Sequence, residues 1–158
     1  MKEIVKPLMQ WYAKHARTLP WRSDPTPYHV WLSEIMLQQT RVEAVIGYYD
    51  RFLEELPDVQ SLAAVSEERL LKLWEGLGYY NRARNLQKAA VQICEQYQGK
   101  FPESYEEWLA LPGIGAYTAG AVTSIAFGKK EAAVDGNVYR IYTRLYADDT
   151  EISKTAFQ

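Results

Sequence analysis

The chain has 158 residues, 47% of them hydrophobic, enough to build one domain with a sizeable core or a small domain plus part of another. It holds no apolar run long enough to span a bilayer, no basic-then-apolar signal segment and a single cysteine, so a membrane partner is excluded and a reduced, cytoplasmic setting is expected. The net charge of −2 lacks the overall basicity of many nucleic-acid binders, but its distribution is uneven: residues 41–70 carry three basic and seven acidic side chains, residues 71–90 four basic and one acidic. One face can therefore meet phosphates while another stays acidic.

In chain order the pattern is helical nearly throughout. Ile4, Val5, Leu8, Met9 and Tyr12 form one stripe of a first helix, broken by Leu19-Pro20-Trp21-Arg22. After a short loop, Thr26 is placed to cap a second helix with Pro27 at its first position; its apolar side is Trp31, Leu32, Ile35 and Met36, and it ends near Gln38-Gln39-Thr40. A third helix begins about Val42 and stops before Pro57, a shorter one follows Ser61, and another follows Ser66 and stops at Gly76-Leu77-Gly78. Tyr80 to Gln98 reads as a longer helix closed by Gly99, with Cys94 in its apolar pattern as a packing residue. No stretch alternates at period two, so the fold class is all-α.

Leu111 to Val122 is a glycine-punctuated turn between two apolar segments, a helix-hairpin-helix signature. Ser104 and Glu107 have capping-box spacing ahead of its first helix, about Tyr105 to Ala110. Gly113 and Gly115 permit a tight turn in which the amides of Gly113, Ile114 and Gly115 point outward to an anion at the start of the next helix. A plain turn is the alternative for two glycines standing alone. The second hairpin helix ends at Gly128, and Gly136 to Ala147 is a last amphipathic helix through Val138, Ile141, Tyr142 and Leu145.

Three places compete for chemistry. Glu34 lies among large apolar neighbours on its own helix, surroundings that raise a carboxyl pKa and suit it to donate a proton, unless the side chain simply faces solvent. Asp135 precedes Gly136 and Asn137 at a helix mouth, where it can cap the helix and also set fixed negative charge beside a developing cation. Gly76 to Asn85 places Tyr79 and Tyr80 at a turn with Arg82 and Arg84 just beyond, a wedge for a base stack beside phosphate-seeking arginines, or core tyrosines with surface arginines.

Together, Trp31 to Thr40, Gly76 to Asn85, Leu111 to Gly120 and Val134 to Val138 resemble, in order and spacing, the adenine DNA glycosylases of the MutY type. The resemblance covers Leu19 to about Leu145. It implies the helix-hairpin-helix DNA glycosylase fold: a six-helix core at 19–133 with the hairpin at about 105–127, and an incomplete second, cluster-bearing domain made of the helix at 1–18 and the segment 134–158.

By that resemblance the partner is double-stranded DNA containing an adenine mispair, and the activity is removal of adenine opposite 8-oxoguanine or guanine after the nucleotide is flipped out. Glu34 and Asp135 are implied as the catalytic carboxylates, with Tyr117 and Asn137 orienting the charged intermediate. Gln38, Gln39, Thr40, Tyr79, Tyr80, Arg82 and the hairpin residues Gly113, Ile114 and Gly115 are implied for DNA contact, and Arg17, Trp21, Arg22 and Leu37 for the adenine pocket. Bifunctional relatives similar to endonuclease III carry a lysine where Tyr117 stands; tyrosine cannot form a Schiff base, so a monofunctional enzyme is expected.

Longer family members also have four cysteines that bind a [4Fe-4S] cluster and a domain that recognises 8-oxoguanine. One cysteine cannot hold such a cluster, so no cofactor or metal is expected in this chain. The final Thr155-Ala156-Phe157-Gln158 carries no helix-ending signal, as expected of a fragment, and self-association through the apolar face of the first helix is expected. Two further readings stay open: another mismatch glycosylase of the same superfamily, such as one acting on thymine opposite guanine, and a non-catalytic DNA-binding fragment.

Overall fold

The computed structural model describes residues 2–147; the closing residues 155–158, read for their missing stop signal, lie outside them. Among the described residues every regular element is a helix: α1 Lys2–His15, α2 Pro20–Ser23, α3 Pro27–Leu37, α4 Val42–Glu55, α5 Val59–Ala64, α6 Glu67–Trp74, α7 Asn81–Tyr97, α8 Tyr105–Leu109, α9 Ala116–Phe127 and α10 Gly136–Tyr146.

Local chemistry sets most of the starts. Thr26 accepts from the His29 amide ahead of Pro27, and Ser66 accepts from Arg69 N at 3.3 Å. Ser104 and Glu107 form the reciprocal box expected of them. At α5 the expectation is corrected: Asp58 caps the helix and Ser61 is its third residue, the two exchanging bonds of 2.7 and 3.2 Å, so the helix begins before Ser61. Leu19 to Arg22 is also more than a break. Pro20, whose missing amide hydrogen costs nothing at a first turn, opens α2, and Trp21 is buried edge-on against Tyr49 at 5.3 Å.

The core is built round α3, which packs on α4, α7 and α9 and fully buries Trp31, Leu32 and Met36. Trp31 meets Trp108 of α8 edge-to-face at 5.7 Å, and Trp108 stacks on Phe101 while its Nε1 donates to the Pro102 carbonyl at 2.7 Å. α5 lies along α7, and α8 turns back onto α9 to make the hairpin. Ile4, Val5, Leu8 and Met9 of α1 are exposed, as are Ile141 and Leu145 of α10.

Gly120 decides where the segment after α9 runs. A Cβ there would lie 2.3 Å from the Ala132 carbonyl oxygen, so only glycine lets this segment cross α9 so closely. That crossing carries the chain on to Asp135.

Candidate active site

A cavity of about 600 Å³ lies where α2, α3 and α9 meet the segment entering α10. α3 contributes Glu34, α9 contributes Tyr117, and Asp135 joins them from the mouth of α10. Arg17, Trp21, Arg22 and Leu37 also line it, together with Gln38. Trp21 and Arg22 reach the cavity from α2, Arg17 from the segment before it, and Leu37 and Gln38 from the end of α3. Asn137 is exposed and does not line the cavity, but donates from Nδ2 to Asp135 Oδ2 at 2.9 Å.

The two carboxyl groups are in opposite electrostatic states. Burial raises the Glu34 pKa above the ordinary value, and the Asp135 charge adds to the rise; the Tyr117 hydroxyl, within hydrogen-bonding reach, and the Arg22 guanidinium oppose it without cancelling it. Asp135 meets a desolvation cost too, but the Val138 amide, the Asn137 side chain and the Asn137 amide together outweigh it and hold its pKa below the ordinary value. Tyr117, exposed at the cavity beside Glu34, has its own pKa pushed up to about 12 by desolvation and the two carboxyl groups, so its hydroxyl stays a donor at neutral pH. A carboxyl whose pKa is raised and one whose pKa is lowered, met at a single cavity, are suited to deliver a proton and to hold a cation.

Two turns project beside this site. Gln39, after α3, has φ of 57° and Tyr79, before α7, has φ of 48°, both left-handed conformations that non-glycine residues seldom adopt. Tyr79 is 65% exposed, and Tyr80 and Gln38 are also exposed. Thr40, by contrast, turns its hydroxyl to the Gln38 carbonyl.

Arg82, Arg84 and Ile114 have partners within the chain. The Arg82 side chain folds inward onto main-chain carbonyls, because the C-terminal end of α3 presents unpaired acceptors there. Its neighbour Arg84 is held by Glu67 at 2.7 Å. In the hairpin, Ile114 is buried and its amide donates to the Leu111 carbonyl at 3.2 Å, closing the turn, so the outward set is reduced to the exposed Gly113 and Gly115. Gly113 has φ of 76°, and a Cβ there would lie 2.7 Å from that of Asn85.

Sequence reasoning missed Tyr12 and Ile125 as cavity residues. Tyr12 reads as one more member of an apolar stripe, yet it also meets Arg22, whose guanidinium lies 5.8 Å from its ring centre.

The family model of the HhH-GPD superfamily of base excision DNA repair proteins matches residues 32–158. The chain belongs to this superfamily. An HhH-GPD relative, the adenine DNA glycosylase of Buchnera aphidicola, is 45% identical over 141 residues, which is 89% of this chain and 40% of that protein. The chain spans less than half the length of the curated relatives it matches. Among solved HhH-GPD structures, a thermostable thymine-DNA glycosylase superposes with a TM-score of 0.85 at 31% identity, covering 90% of this chain and 66% of the other. A non-covalent endonuclease III–DNA complex gives 0.78 at 28% identity over 94% of this chain and 72% of the other.

The residues present do not fit the iron-sulfur cluster of longer HhH-GPD proteins. Cys94 is the only cysteine, its thiol lies 3.8 Å from the Val59 carbonyl between α7 and α5, and among the described residues no group of three or more His, Cys, Asp or Glu is arranged for a metal. No described helix is long and apolar enough to cross a membrane.

Proposed function

We propose that this chain is the catalytic core of a monofunctional DNA glycosylase that hydrolyses adenine from a mispair with 8-oxoguanine or guanine. The observation that carries the reading is the meeting of Glu34, its pKa raised by burial, a donor Tyr117 and Asp135, its pKa lowered by hydrogen bonds, at one cavity. The adenine anion is a poor leaving group. Glu34 therefore protonates a ring nitrogen as the N-glycosidic bond breaks, its electron pair leaving with the base. Positive charge develops on the sugar, where Asp135 stabilises it, with Tyr117 and Asn137 orienting the intermediate. Glu34, now ionised, then takes a proton from the water that attacks the sugar.

A base inside a duplex is out of reach of this cavity, so it must be flipped. Gln39 and Tyr79 are the side chains suited to fill the gap it leaves, and the amides of Gly113 and Gly115 to hold the backbone, with Gln38, Thr40 and Tyr80 beside them. Arg17, Trp21, Arg22 and Leu37 form the pocket for the base. Tyrosine at 117 carries no amine for a Schiff base, which supports hydrolysis without strand cleavage.

A second reading, excision of thymine opposite guanine, is favoured by the likeness to the thymine-DNA glycosylase. One experiment tests both. Single-turnover release is followed from duplexes with adenine opposite 8-oxoguanine and thymine opposite guanine, strand breaks being revealed by alkali. Release of adenine that Glu34→Gln abolishes is expected; release of thymine alone supports the second reading, and breaks without alkali contradict a monofunctional enzyme.

A further inference from the structure

Arg82 spends its guanidinium on two loops at once. Nη1 donates to the carbonyls of Ile35, Met36 and Gln38 at 2.9, 3.0 and 2.5 Å, all at the end of α3. Nη2 donates to Leu77 and Gly78 at 3.0 and 3.2 Å, in the turn before α7, and to the Thr40 hydroxyl at 3.3 Å. The bonded residues flank Gln39 on one loop and directly precede Tyr79 on the other, the two exposed side chains with left-handed backbones. The guanidinium also lies 5.7 Å from the Tyr79 ring centre and 5.5 Å from that of buried Trp74.

Left-handed backbone at a non-glycine residue costs roughly 1–3 kcal/mol and persists only where surrounding bonds over-determine it. Here one side chain supplies those bonds to both turns, across a sequence separation of more than forty residues. A lysine ammonium is a compact point charge and cannot reproduce a planar fork that reaches two loops.

We propose that Arg82 is a positioning residue that locks the Gln39 turn and the Tyr79 turn into one rigid unit, so that both side chains enter a DNA duplex together. The role in DNA entry rests on the glycosylase reading; the mechanical coupling of the two turns does not.

Amide hydrogen exchange on the free chain tests the coupling. Arg82→Lys is expected to speed exchange together at the hydrogen-bonded amides of the two turns, Thr40 in one and Leu77 and Arg84 in the other, by about tenfold or more, with the hairpin amides within about twofold of wild type. Thr40→Val, which removes one of the six acceptors and endangers the fold less, is expected to give a smaller rise in both turns. A rise confined to one turn, or none, overturns the proposal.

The DNA arm uses saturating enzyme on the adenine mispair. Arg82→Lys is expected to slow single-turnover release about tenfold, to add less in a Tyr79→Ala background and nothing further when Gln39→Ala is combined with Tyr79→Ala, and to leave duplex affinity unchanged. In Arg82→Gln, which removes the charge, an unchanged salt slope is expected, and a slope lower by about one overturns the proposal, because Arg82 would then be a phosphate contact. If the wild-type chain releases no base, the glycosylase reading fails while the exchange result still decides the coupling.

Discussion

The Gly120 backbone lies against Ala132, so close that a Cβ on Gly120 would sit 2.3 Å from the Ala132 carbonyl oxygen. Because a backbone atom opposes it, Gly120→Ala can be accommodated only by moving the segment that leads to Asp135. Displacement of a catalytic group by about 1 Å can cost on the order of a hundredfold in rate. A loss of that size in single-turnover release is expected, with duplex affinity within about twofold, measured by fluorescence anisotropy.

Glu34 makes stability depend on pH in the unusual direction. Its folded pKa is raised above the ordinary 4.5, so between those values the folded state holds more protons and stability falls as pH rises. Glu34→Gln removes that penalty. The variant is expected to melt higher than wild type at pH 7, where 1 kcal/mol is worth roughly 2–4 °C in a chain of this size, with the difference closing as the pH falls towards 4.5.

The same group fixes the sign of a rate effect. If protonated Glu34 is the acid, release falls as pH rises through its pKa. The Tyr117 hydroxyl and Arg22 both lower that pKa, so Tyr117→Phe and Arg22→Met are each expected to move the alkaline limb of the single-turnover pH profile to higher pH. A shift to lower pH in either variant would contradict the assignment.

Asp135 is the opposite case. Its folded pKa is depressed, so it contributes stability above its unfolded pKa that is lost as pH falls through the folded one. Asparagine caps a helix about as well as aspartate, so Asp135→Asn is expected to change stability at pH 7 by less than about 1 kcal/mol while flattening the acid limb of the melting profile. Base release should nevertheless drop by a factor on the order of 10²–10³, as for loss of an electrostatic stabiliser.

Trp108 joins α8 to the core through Trp31 and Phe101. Trp108→Ala leaves a large cavity and an unanswered Pro102 carbonyl, and is expected to cost about 3–5 kcal/mol by urea denaturation.

Most helix boundaries are written locally, because a cap or a proline acts within a turn: Thr26 with Pro27, Ser66, Ser104 with Glu107 and Asp135 each name a start that the structure has. Where two local partners were both eligible, as with Asp58 and Ser61, the reciprocal bonds chose the earlier one. The motifs that carry the family resemblance were legible for the same reason, being short and in order along the chain. What the sequence determined alone was thus the all-α class, the hairpin and the identity of two carboxylates worth watching. Tertiary structure decided their states. Glu34 is desolvated by elements far from it in sequence, and Asp135 reaches the same cavity only because Gly120 admits the Ala132 backbone. Arg82 looks like a surface cation until α3 brings it carbonyls from more than forty residues away, and those long-range acceptors, absent from any local pattern, turn it inward.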